Sequence, residues 1–128
     1  QRKGKAAGAG FYDYPENGKK HLWDGLSHWK KDTDLSEQEM IDRFLFVQSL
    51  DTLRCLEEGV LESVVDANVG SIFGIGFAPW TGGALQFLNQ YGLEKALIRA
   101  NTLEVKYGAR FKAPQLLIDK VHAGEKIA

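Results

Sequence analysis

Ser36-Glu37-Gln38-Glu39-Met40-Ile41-Asp42-Arg43-Phe44-Leu45-Phe46-Val47, running on through Leu50, Leu53 and Leu56 to Gly59, is the stretch on which the fold turns. Ser36 and Glu39 stand at capping-box spacing, so each can satisfy a free amide where a helix begins. The apolar residues that follow recur at helical spacing but cover more than one face. That pattern predicts a long central helix contacted from several sides and stopped at Gly59.

Downstream, further helical segments follow. A shorter piece is expected around Asp66 to Phe73, closed by Gly74-Ile75-Gly76-Phe77, and Pro79 prevents its continuation. Thr81 is placed to cap a helix over residues 82–91, with Leu85, Phe87 and Leu88 inward and Gly92 at its end. Ala96, Leu97, Ala100, Leu103 and Tyr107 mark a helix over about 94–107, and Pro114 opens a last one to His122. No segment alternates with period two between hairpin turns, so strands have little support. The fold class is all-α, a compact bundle of about five helices.

Residues 1–35 differ in character. They hold four of the seven tyrosines and tryptophans, two of the three histidines, and the turn formers Pro15-Glu16-Asn17-Gly18. Phe11, Tyr12, Tyr14, Trp23 and Trp29 are too many aromatics for a solvated tail, so this segment reads as an extended arm that docks on a core. Leu22, Trp23, Leu26 and Trp29 suit one face of a short helix. The expected division is an arm over 1–35 and a helical domain over 36–128. The absence of an initial methionine and the small, flexible opening suggest a piece of something longer.

Composition narrows the function. Sixteen basic and seventeen acidic side chains leave a formal charge of −1, which announces neither a nucleic-acid nor a membrane-surface partner. No apolar run reaches the roughly 18–20 residues that span a bilayer. The lone Cys55 can form no internal disulfide, and in its apolar helical context it is expected to be a buried, unreactive thiol of a reducing compartment.

Three groups invite chemistry. Gly70-Ser71-Ile72-Phe73-Gly74-Ile75-Gly76 could bring backbone amides to a phosphate, but Pro79 stands where a third fingerprint glycine belongs, and no Gly-Lys-Ser/Thr occurs. Tight helix packing is the better reading. His21, Asp24 and His28 would share one helix face at spacings of three and four; a polar face of an amphipathic helix explains them better than a zinc site. His122 stands alone and reads as a surface residue. No residue is nominated as catalytic, cofactor-binding or metal-ligating.

Ile41-Asp42-Arg43-Phe44-Leu45-Phe46, Arg54-Cys55-Leu56-Glu57-Glu58-Gly59-Val60 and Gly74-Ile75-Gly76-Phe77-Ala78-Pro79-Trp80-Thr81-Gly82-Gly83 resemble, in this order, the C-terminal domain of 3-hydroxyacyl-CoA dehydrogenases. Gly10-Phe11-Tyr12, Tyr91-Gly92-Leu93 and Tyr107-Gly108-Ala109-Arg110-Phe111-Lys112-Ala113-Pro114 extend the resemblance to about residues 8–126. It implies a helical fold like the C-terminal domain of 6-phosphogluconate dehydrogenase. In that family a Rossmann domain binds NAD and carries the catalytic histidine and glutamate, and the helical domain closes the acyl-CoA site. Multifunctional fatty-acid β-oxidation members carry two helical copies, and the catalytic copy has a Val-Asn-Arg motif. Here the corresponding residues are Ile41-Asp42-Arg43, and a carboxylate cannot donate the hydrogen bonds of an amide. Ala78 is a second departure, standing where Gly-Phe-Pro is usual.

The resemblance therefore implies the second, non-catalytic copy, inactive alone and holding no cofactor itself, in an NAD-dependent parent that also carries enoyl-CoA hydratase activity. Its implied partners are the first helical copy and the NAD-binding domain, with a thiolase subunit and a second copy of this chain as further candidates. The implied location is cytoplasmic, or mitochondrial or peroxisomal in a eukaryotic parent. The alternative is a free-standing helical module that binds a protein partner.

Overall fold

The computed structural model describes residues 2–128, which form two compact units, one up to Asp34 and one over Leu35–Ala128. The second is an all-α bundle of five helices: α1 (Glu37–Glu57), α2 (Val64–Ile75), α3 (Ala84–Tyr91), α4 (Leu93–Tyr107) and α5 (Gln115–Ala123).

Ser36 caps α1 as its spacing predicts, its Oγ accepting from the Glu39 amide at 3.1 Å. The reciprocal half of the box does not form, because the Glu39 carboxylate is taken by Lys106 and Tyr107 of α4. From α1, Phe46, Leu50 and Leu53 point into the core and are fully enclosed. They meet Leu85, Phe87 and Leu88 of α3, Ala96, Ala100 and Leu103 of α4, and Leu117 of α5. Phe46 sits edge-on to both Phe87 (5.4 Å, 86°) and Tyr91 (5.0 Å, 90°), a geometry worth about 0.5–1.5 kcal/mol per pair beyond area burial. The small Ala96 and Ala100 of α4 are fully enclosed, and the helix lies close to α3 and α5.

The boundary of α3 corrects one expectation. Thr81 belongs to a 3-10 turn over Pro79–Thr81 and holds that turn, its hydroxyl donating to the Ala78 carbonyl at 2.6 Å and accepting from the Gly83 amide at 3.2 Å. The first amides of α3 are instead satisfied from α2. Ser71 Oγ accepts from Ala84 N, and Asn68 Oδ1 accepts from both Leu85 N and Gln86 N, each at 3.0 Å. Capping across two helices brings their backbones together at Gly83, whose φ of 116° favours glycine. A Cβ there would lie 2.5 Å from the Asn68 Cα.

The first unit also departs from expectation. Tyr12–Asp13 (β1) and His21–Leu22 (β2) pair antiparallel as a two-residue ladder, where no strand was expected. Such strands are too short to show alternation in sequence. The short helical stretch is a 3-10 helix over Asp24–Trp29, beginning beyond Leu22. Arg2 ties the unit together: its Nε donates to the Gly10 carbonyl at 2.8 Å, Nη2 reaches Asp13, and its guanidinium lies 4.3 Å over the Trp23 ring.

Candidate functional site

The decisive position is Asp42, on the buried side of the second turn of α1. Its side chain is almost enclosed, 6% exposed, yet it faces two donors. Gln38 Nε2 donates to Oδ1 at 2.8 Å, and Arg99 Nε from α4 donates to Oδ2 at 2.7 Å. A charge-assisted bond of this length is strong, and a buried carboxylate without such partners would be costly. Oδ2 thus ties α1 to α4, while Oδ1 is held within α1 by Gln38. Tyr91 stands nearby, and its phenol is pushed above its ordinary range by burial first and by the Asp42 charge second. The arrangement is a helix clamp with no free donor to offer a substrate.

One turn earlier, Glu39 makes a second bridge between the same helices, accepting from Lys106 Nζ at 2.5 Å and from the Tyr107 hydroxyl. These bonds hold the Glu39 carboxyl below the usual carboxylate range, the Lys106 bond contributing most, and Glu39 in turn holds the Lys106 ammonium above its own. Arg43 lies with its guanidinium 4.1 Å over the Tyr107 ring. Sequence reasoning missed Arg99, Lys106 and Tyr107 as partners of α1, since their residues lie 57 to 68 positions away.

The other candidates are scattered. His21 lies in β2 and approaches Asp13 at 3.8 Å, while Asp24 and His28 lie in the following 3-10 helix, so the three do not share one helix face. Among the described residues no group of three or more His, Cys, Asp or Glu could hold a metal ion. His122 is exposed at the end of α5. Cys55 is half-buried rather than buried; it lies in the last turn of α1, where the Val60 and Leu61 amides both turn back to its carbonyl. Gly70 and Gly74 are interior residues of α2 and Gly76 is its left-handed C-cap, so no open phosphate-binding loop forms.

What the molecule does present is an apolar face. Val65, Val69 and Phe73 repeat at intervals of four along α2 and are 69%, 50% and 85% exposed, on the side away from Ala67 and Ser71. Trp80, in the turn that follows, is 82% exposed. Asp66 is the one charged side chain in α2. A helix apolar on both sides belongs in an interior. No helix among the described residues is long and apolar enough to cross a membrane.

No family model matches the chain. Comparison with curated proteins shows similarity to the fatty acid oxidation complex subunit alpha of Vibrio cholerae serotype O1, 35% identical over 128 residues. The subunits of the same name from Vibrio vulnificus and Vibrio parahaemolyticus are each 33% identical over 129 and 127 residues. These alignments take in 98%, 98% and 96% of this chain, which spans only 18% of each relative's length.

Proposed function

We propose that this chain is the second, non-catalytic helical domain of a multifunctional fatty-acid β-oxidation subunit, and that its role is to pack against the first helical copy and the NAD-binding domain of its parent. The α2 face carries the reading. Val65, Val69, Phe73 and Trp80 form an apolar surface of the kind found on a domain core cut in half, and such a patch is rarely left bare on a monomer. The parent oxidises the 3-hydroxyl of an acyl-CoA by hydride transfer to NAD, alongside an enoyl-CoA hydratase, in the cytoplasm. NAD and the catalytic acid–base pair reside in the parent's other domains.

Asp42 supports the non-catalytic assignment. A position that serves chemistry keeps a hydrogen-bonding group free for the substrate, whereas both Asp42 oxygens are spent on Gln38 and Arg99. The test is turnover: the purified chain, incubated with NAD and a 3-hydroxyacyl-CoA, should form no NADH above a buffer control. Asp42→Asn should not create activity. Clear turnover by a preparation free of contaminating enzyme overturns the reading.

A further inference from the structure

Arg43 and Arg110 line one concave groove whose remaining walls are Leu35, Met40, Phe44, Val47 and Phe111. At about 360 Å³ it falls at the lower end of the size range of small-ligand pockets. The residues come from Leu35 just before α1, from the first half of α1 and from the 3-10 turn Ala109–Phe111, so the groove lies wholly within the helical unit. Its apolar wall includes Phe44, 71% exposed, and Met40, also exposed.

Of the four arginines of the helical unit, Arg54 and Arg99 have a carboxylate partner, and among the described residues Arg43 and Arg110 have none. Aromatic faces hold them instead, Arg43 4.1 Å over Tyr107 and Arg110 5.4 Å over Phe111. Arg43 Nε is enclosed without a hydrogen-bond partner, which leaves the terminal Nη groups as the donors that a ligand in the groove can reach. A guanidinium stacked on a ring keeps its planar fork available for a bidentate carboxylate.

We propose that this groove binds a fatty carboxylate of medium length, with the carboxylate on Arg43 and Arg110 and the alkyl chain along Met40, Phe44 and Val47. No residue of α2 lines the groove, and the proposal stands whether or not the architectural reading holds. The concave shape favours a small amphiphile over a protein surface, which the open α2 face suits better.

Titrating the isotopically labelled chain with decanoate, followed by amide and methyl NMR, tests it. Saturable shifts should appear at Met40, Phe44 and Val47. Arg110→Gln, a change at an exposed side chain, should weaken decanoate binding roughly tenfold, the scale of one charge-assisted bond, and leave decanol binding unchanged. Arg43→Lys, which keeps the charge but not the fork, should weaken decanoate as well, with circular dichroism confirming the fold. Shifts that do not saturate, an equal loss for decanol, or a groove closed on concentration by a second copy of the chain would each overturn the proposal. So would preferential capture of an acidic, apolar peptide over decanoate.

Discussion

Gly83 is where a single residue decides most. With φ at 116° and the Asn68 backbone 2.5 Å from where its Cβ would stand, any side chain forces α2 and α3 apart. Gly83→Leu should therefore cost about 1–3 kcal/mol by overpacking, read as a lower urea midpoint; an unchanged midpoint would show the site to be open. Ser49 works in the opposite direction. Its hydroxyl is enclosed with no partner, so Ser49→Ala should leave stability unchanged or raise it by up to about 1 kcal/mol. Asp42→Asn should cost about 1–3 kcal/mol, because Arg99 loses its counter-charge while its own partial exposure to water softens the loss. The identity of Asp42 as a departure from the Val-Asn-Arg motif was legible in the sequence. Its bond to Arg99 was not, because nothing local in Glu94-Lys95-Ala96-Leu97-Ile98-Arg99 marks which basic residue faces α1.

At the scale of elements, the five helices follow from apolar spacing, from Ser36, and from the glycines that stop α2, α3 and α4. These are local rules, and local rules are what a sequence displays. The two-residue ladder of Tyr12–Asp13 with His21–Leu22 escaped because it is shorter than any period it could show. The cap on α3 was misassigned to Thr81 because the true acceptors, Asn68 and Ser71, belong to another helix. The Glu39 bridge between α1 and α4 carries a pH signature. Its carboxyl is lowered from 4.5, so its contribution is complete above that unfolded value and is lost as pH falls through the folded one. Lys106, raised from 10.5, contributes fully below that value and loses its contribution as pH rises through the folded one. Glu39→Gln should therefore flatten the melting temperature against pH below about pH 4.5, while a slope identical to that of the unaltered chain would show that the bridge contributes nothing in solution.

For the molecule as a whole, the core and the exposed face tell different stories. The interior of α1, α3, α4 and α5 is complete, with its large side chains enclosed, so the helical unit contains its own hydrophobic core. The α2 face is not complete: Val65, Val69 and Phe73 stand exposed, and periodicity identifies such apolar positions without saying what covers them. If the parent's first helical copy covers it, the pairing is pseudo-two-fold, and the chain alone should form a weak isologous dimer through the same residues. Sedimentation equilibrium over a concentration series should then show reversible self-association that Phe73→Glu abolishes without loss of helicity. The most direct measurement replaces that substitute with the proposed partner. A parent subunit truncated immediately before this segment is mixed with the chain, and binding is followed by titration calorimetry. A stable complex should form that the α2 variants Val69→Glu and Phe73→Glu prevent; no association with the truncated parent, or association indifferent to both substitutions, would show that α2 is not the docking face.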